Sequence, residues 1–381
     1  MRQTTRIGRA LKVCFLSPAL PEPDPGDAVG AYVRRLAADH GLQVTLALTD
    51  PPAGGTPSRL GSARAMPISE ALAERFDVAM STTWQATVRL FEVDAARHAS
   101  FVERLAHGRM SAWQPERIVA AISYDLPVDF LAASELVAGE LAQLRPDARC
   151  LLVHSGVAKD VFVPGPGGGG GPLRVAATTS EAANAAVGAM TEPHEVEILE
   201  AGASARAAGL AGSDVALVLD DERAAREAMH AGAACVATIE GLVAHDVDGL
   251  VTAPDDAATA GRALDLLARD RALLERLRAG ALRSAQDCPT IDEATAAMAR
   301  ALELLVAEPP GEAARWPVRL MADATAAAAL FHNELHAYAQ ELERVRGDEA
   351  YMLASRAREL LERPPYAGAR RLLRAARRRI G

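Results

Sequence analysis

The stretch Asp214–Val251, DVALVLDDERAAREAMHAGAACVATIEGLVAHDVDGLV, decides the fold. Its first part, Val215–Leu219, is a continuous apolar run, the pattern of a parallel strand buried on both faces. Asp220 and Asp221 stand where side-chain oxygens cap a following helix and favour its dipole, and Gly232 ends that helix. Cys235–Thr238 then predicts the next strand. A strand, helix and strand within about 25 residues form a right-handed parallel crossover, whose ligand crevice lies at the carboxyl ends of the strands. Glu227 begins the helix face nearest that crevice.

Working outward, the same alternation recurs towards the N-terminus. Leu11–Leu16 predicts a strand, Ala31–His40 a helix and Val44–Leu48 a second strand. The loop between the first two carries Gly26 and Gly30, where a helix N-terminus can face an anionic group; a plain turn fits the same glycines. Residues 50–67, rich in Pro, Gly and Ser, read as a surface loop. Phe76–Met80 is a further strand running into a polar turn with Trp84, and helices are expected over Gln85–Ala95 and Trp113–Ile122. Phe130–Ala133 is a strand whose Ser134 caps the next helix, and Cys150–Val153 leads to His154.

GPGGGGGP at 165–172 can be neither helix nor strand and divides the chain as a hinge. The divisions are then an arm at 1–10, an α/β domain at 11–164, the linker at 165–172 and a second α/β domain at 173–305. In the second domain Leu173–Ala177 and Val196–Leu199 read as strands, and Ala257–Ala268 and Arg271–Ala285 as helices. Two open sheets separated by a hinge imply a cleft between them. Residues 318–363 then read as one long helix with Leu335, Tyr338, Leu342, Val345 and Met352 at three-four spacing, a surface for self-association or for another chain. Residues 364–381 hold Arg370, Arg371, Arg374, Arg377, Arg378 and Arg379 with no acid, which reads either as a contact for an anionic membrane surface or as a solvated tail.

The net charge of −9 argues against nucleic acid as a partner. Four cysteines without paired spacing are read as reduced thiols. No apolar run approaches the ~20 residues of a membrane span. The first residues, MRQTTRIGRALKV, lack the apolar segment of a secretion signal, so a cytoplasmic location is expected, peripheral at the inner membrane face if the basic tail binds lipid. Asp246 and Asp248 have the spacing of a metal-binding carboxylate pair, but Gly249 after them favours a turn, and no metal is expected. His154 and His245 fall in loops near the presumed cleft and are either exposed or part of a site.

KVCFLSPALPEPDPGDAVGAYVRRLA, FLAASELVAGEL with CLLVHSGVAKDVFVP, EAMHAGAACVAT, and DVDGLVTAPDDAATAGRALDLLARDRALLERL together resemble family 4 retaining glycosyltransferases. STTWQAT with ISYDLPVDFLAAS is similar to a rhamnosyltransferase-like branch that builds surface polysaccharides. The resemblance implies the GT-B architecture, two Rossmann-like domains facing a cleft, here followed by a C-terminal helical extension. It implies transfer of a sugar from a nucleotide-diphosphate sugar to a glycan or lipid-linked acceptor, without a cofactor. On this reading Glu227 bonds the donor ribose, Glu222 is the nearby second acid, Arg174 and Arg223 meet the diphosphate with Arg226 as a further candidate, and Gly30 lies in an acceptor or phosphate loop; the alternatives are an i,i+4 helix pair of Arg223 with Glu227 and arginines that are solvated helix charges. The resemblance names no catalytic residue.

The chain departs from the family's pattern in the donor domain, which is shortened. Leu219 stands where a second glutamate is usual, eight residues before Glu227, and Ala158 where an aspartate is usual. The loop after Thr238 is short. These departures support a second reading, a catalytically reduced subunit that binds a partner through the helix at 318–363. A nucleotide-binding epimerase of the same architecture is a third.

Overall fold

The computed structural model describes residues 9–21, 28–52, 55–56, 59–106, 110, 116–165, 171–178, 181–200, 202–219, 221–238, 242–253, 256–309, 340 and 344. The helix expected at 318–363 and the tail at 364–381 lie outside the described residues, apart from 340 and 344, as does Gly26.

In the first half, β1 (Lys12–Ser17), α1 (Ala28–Asp39) and β2 (Gln43–Leu48) are followed by β3 (Arg59–Leu60), β4 (Ala63–Pro67) and α2 (Ile68–Ala71). Next come β5 (Arg75–Ser81), the one-turn α3 (Trp84–Thr87), a 3-10 turn at Leu90–Glu92 and β6 (Asp94–Val102). α4 (Glu116–Asp125), β7 (Asp129–Ala132), α5 (Glu135–Leu144) and β8 (Cys150–Leu152) complete it. The sheet runs β3-β4-β2-β1-β5-β6-β7-β8, parallel except for the β3–β4 pair. Val13, Phe15, Val78 and Met80 on the central strands are fully buried, as continuous apolar runs require of a sheet covered on both faces.

Two expectations fail here. The surface loop at 50–67 contains β4, which pairs with β2 and buries Ala63, Ala65 and Met66; its short apolar signal is masked by Gly61 and Pro67. The helix expected over Gln85–Ala95 stops after one turn, because residues 94–102 enter the sheet between β5 and β7. Tertiary pairing outweighs local helix preference at that point.

The second half contains β9 (Leu173–Thr178), α6 (Glu181–Gly188), β10 (His194–Leu199), α7 (Ala203–Gly212), β11 (Val215–Val218), α8 (Glu222–His230), β12 (Ala234–Ala237) and β13 (Gly249–Val251). Helices α9 (Ala257–Arg269), α10 (Arg271–Gln286) and α11 (Ile291–Ala307) follow. The all-parallel sheet is ordered β10-β9-β11-β12-β13. Its connections reverse direction between β9 and β11, so the switch-point crevice of this half lies at Thr178 and Val218. Asp221 caps α8 by accepting the Ala224 N–H at 3.0 Å, as the acidic turn predicts.

Helix α11, which the expectations above do not include, has a structural task. It lies within the 173–305 division but packs back on the first half, against α1, β5 and β6. Arg35 of α1 pairs with Asp292, and the Arg97 guanidinium donates to the carbonyls of Leu305 (2.8 Å) and Glu308 (2.7 Å) at its C-terminus. A cation there satisfies end carbonyls and complements the helix dipole. Arg97→Met is therefore expected to cost about 2 kcal/mol in denaturant unfolding.

His230 closes α8 beside the segment leaving the first half. Its Nε2 is buried and has no partner among the described residues. Burial, with Lys159 nearby, holds its pKa down at about 4 against an ordinary 6.5. The neutral ring is therefore compatible with the fold at neutral pH. Stability is lost as pH falls from about 6.5 towards 4, because the unfolded chain takes up the proton that the folded one resists. His230→Leu is expected to flatten that part of a stability-against-pH curve measured by urea titration.

Candidate active site

Helix α8 explains the site's electrostatics. Every residue from Ala224 to His230 is buried, so charges on this helix must be paired. Its four charged residues fall into two i,i+4 pairs on different faces. Arg223 donates from Nε to Glu227 at 3.0 Å, and Arg226 donates to Glu222 at 3.2 Å.

Glu227 carries more than that local pair. Arg206 of α7 forks onto the same carboxylate, Nε to Oε2 at 2.8 Å and Nη2 to Oε1 at 2.9 Å. The Glu227 side chain is 3% exposed, against 19% for Arg206 and 28% for Arg223. Two guanidinium groups thus converge on one carboxylate. Arg206 and Arg223 sit in the first turns of α7 and α8, helices that start at the carboxyl ends of β10 and β11 on either side of the switch point. A ribose can reach Glu227 only by displacing an arginine.

Glu222 faces the other way, across the seam between the halves. Ser134, just past the carboxyl end of β7, donates to its Oε1 at 3.2 Å while accepting the Val137 N–H as the cap of α5. Close by, Tyr32 of α1 accepts the Gly156 N–H at 3.2 Å, and Ser155 donates to Glu103 at 3.4 Å. Burial pushes the Tyr32 hydroxyl up to about 12, with Glu103 adding to the rise and Arg223 and Arg226 opposing it. A phenol on the first half therefore feels arginines from the second, and the carboxyl ends of the two sheets meet here. Gly156 is required at this seam, since a Cβ would come within 2.5 Å of the Thr290 carbonyl oxygen.

Trp84 begins α3, capped by Thr83, and is half-buried. It lines a cavity of about 450 Å³ at the carboxyl ends of β5 and β6, with Gln85, Phe101, Glu103, Arg104 and Tyr124 among its walls. Aromatic faces interleaved with amide, carboxylate and guanidinium groups suit a polar ring-shaped ligand.

The fold thus gathers Glu227, Glu222 and Arg223 near one seam and sets Trp84 in a cavity of the facing half. Gly30 is buried in the first turn of α1, and His154 is half-buried beside Ser155. Two expectations are corrected. Arg174 lies near the amino end of β9, where its N–H donates to Asp214 at 3.0 Å, the opposite end of the strand from the crevice. His245 precedes β13 where that strand enters the sheet beside Cys235; it is exposed, and its Nδ1 accepts the Val251 N–H at 3.0 Å. Asp248 in the same turn accepts from Ala244 N (2.7 Å) and Ser284 Oγ (2.7 Å), which gives its carboxylate a structural role. Sequence reasoning missed Arg206, although it is the one Arg or Lys between Arg174 and Arg223.

No protein-family model matches the chain, and no curated protein matches it. Solved structures do. Sucrose-phosphate synthase from Thermosynechococcus elongatus superposes with a TM-score of 0.63 at 13% identity, over 78% of this chain and 100% of that one. Anabaena HepE, solved in complex with UDP-glucose, gives 0.58 at 13% identity over 77% and 99%. WaaG, a glycosyltransferase involved in lipopolysaccharide biosynthesis, gives 0.56 at 10% identity over 77% and 99%. At such identities the likeness is one of fold: this chain has the GT-B architecture, two Rossmann-like halves facing one another at their carboxyl ends.

Proposed function

We propose that the protein transfers a sugar from a nucleotide-diphosphate sugar to an acceptor hydroxyl. The observation that carries this reading is the convergence of Arg206 and Arg223 on Glu227 at the switch point of the second sheet. A leaving diphosphate develops charge that preorganised donors stabilise best when they need not move. Glu227 acts here as the group that orients both guanidinium planes. Glu222, at the seam, accepts from Ser134 of the facing half. The cavity beside Trp84 takes the acceptor, a surface glycan or a lipid-linked glycan, and the reaction retains anomeric configuration as the sequence resemblance implies. Incubation with a panel of nucleotide-diphosphate sugars, reading released nucleotide and thermal shift, tests the proposal. Turnover with one donor and a rise in apparent stability are expected, since a ligand at 100 times its Kd adds about 2.7 kcal/mol. No response to any nucleotide diphosphate at millimolar concentration would sink it.

A second reading, a partner-binding subunit without transfer, is favoured by the closure of Glu227 behind its two arginines. It predicts the same fold with no nucleotide response.

A further inference from the structure

Strand β10 differs from the other strands of its sheet. It is an edge strand among the described residues, paired with β9 alone, and Glu195, Val196, Glu197 and Ile198 are all exposed. By contrast, β11 and β12 are buried throughout. Open edges of this kind are usually blunted by charged side chains, proline or a bulge, and in β10 that charge is acidic, from Glu195 and Glu197. Val196 and Ile198, 39% and 42% exposed, leave apolar surface uncovered beside it.

Helix α7 lies alongside and leaves a groove of about 630 Å³. Its wall is Ala205, Ala208, Gly209 and Gly212, an i, i+3, i+4, i+7 face with nothing beyond Cβ. The rim carries Glu195, Glu197 and Glu200 against one cation, Arg174. The groove is thus wide enough for a chain segment, apolar along the α7 wall and acidic along β10.

A second copy paired edge to edge would bring Glu195 and Glu197 against their own counterparts, and like charges across a strand pair are destabilising. A segment of opposite charge occurs in this chain. Residues 364–381 carry six arginines, no acid, and Leu372, Leu373 and Ile380 between them. Roughly 60 residues separate α11 from Arg370, enough chain to span about 200 Å when extended, so reach imposes no limit.

We propose that the groove between β10 and α7 is the seat of the same molecule's Arg-rich segment 364–381, with arginines at Glu195 and Glu197 and leucines against the small-residue face of α7. The inference is independent of sugar transfer, because the groove flanks the outer strand and involves neither Glu222 nor Glu227.

Hydrogen exchange on full-length protein tests it. The wild type is compared with a variant carrying all six arginines as glutamine, with E195K/E197K, and with a charge swap that combines E195K/E197K with glutamates at the six arginine positions. Amides of residues 195–198 are expected to exchange at least about tenfold faster in the first two variants and to regain protection in the swap. Equal exchange in the wild type and the glutamine variant would overturn the proposal. Protection that rises with protein concentration would also overturn it, by placing a second copy's segment in the groove. A third contrary outcome is binding of phosphatidylglycerol vesicles through the arginines with no change at 195–198, which would assign the segment to a lipid surface.

Discussion

Glu227→Gln is expected to cost the folded protein about 3 kcal/mol, the range for removing one member of a buried ion pair. The carboxylate is 3% exposed and takes two hydrogen bonds from Arg206 and one from Arg223. Glutamine keeps the volume but not the charge, leaving two guanidinium groups facing each other across a helix interface. For a unit the size of the second half, that corresponds to a fall of very roughly 10 °C in melting temperature. Urea unfolding of the wild type, Glu227→Gln and the Arg206→Met/Glu227→Gln double variant measures it. The double variant is expected to recover part of the loss, because one unpaired cation is gone. A glutamine variant as stable as the wild type would show that the clamp does not organise α7 against α8. Arg206→Lys separates the fork from the charge, since lysine keeps the cation without the planar pair of donors.

Arg206→Met carries the largest expected effect on activity. If Arg206 meets the leaving diphosphate, its loss is expected to lower turnover with the preferred nucleotide sugar by about 100-fold, the magnitude for deleting one preorganised donor to developing charge. Glu227 keeps Arg223 in this variant, so the cost in stability is expected to be smaller, about 1 kcal/mol. The split between the two measurements is the informative result. Turnover that falls only in proportion to the folded fraction assigns Arg206 to the fold alone. A large fall in turnover with a small change in stability assigns it to the reaction. A higher KM at unchanged kcat would place Arg206 in uniform binding of the diphosphate and not in stabilising its departure.

The central strands β1, β5, β9, β11 and β12 were legible because fully buried parallel strands leave continuous apolar runs that need no partner to recognise them. Val215–Val218 and Ala234–Ala237 lie within a residue of where apolar pattern, acidic cap and glycine stop put them. β6 and α11 were not legible for opposite reasons. The stretch 94–102 carries His98 and Arg97, polar groups that are satisfied only in the fold, by the Val93 carbonyl and by the end of α11. Helix α11 has an ordinary amphipathic pattern, but nothing local says that it returns to the first half. The i,i+4 pair Arg223–Glu227 was readable as a local alternative to ligand binding. The third member of that cluster was not, because Arg206 lies 21 residues from Glu227 and joins it only through the packing of α7 beside α8.

The sequence alone determined that the chain forms two α/β halves and that the helix after Val218 opens with a cluster of charges. Those features follow from periodicity, capping and backbone freedom, which act within a few residues. Tertiary structure alone decided what the charges do. A carboxylate read as open to a ribose is closed behind two arginines, and a second carboxylate five residues earlier turns to the opposite half. The physical reason is burial: in a helix enclosed on every side a charge is stable only beside its counter-charge, and the fold determines which counter-charge comes within reach.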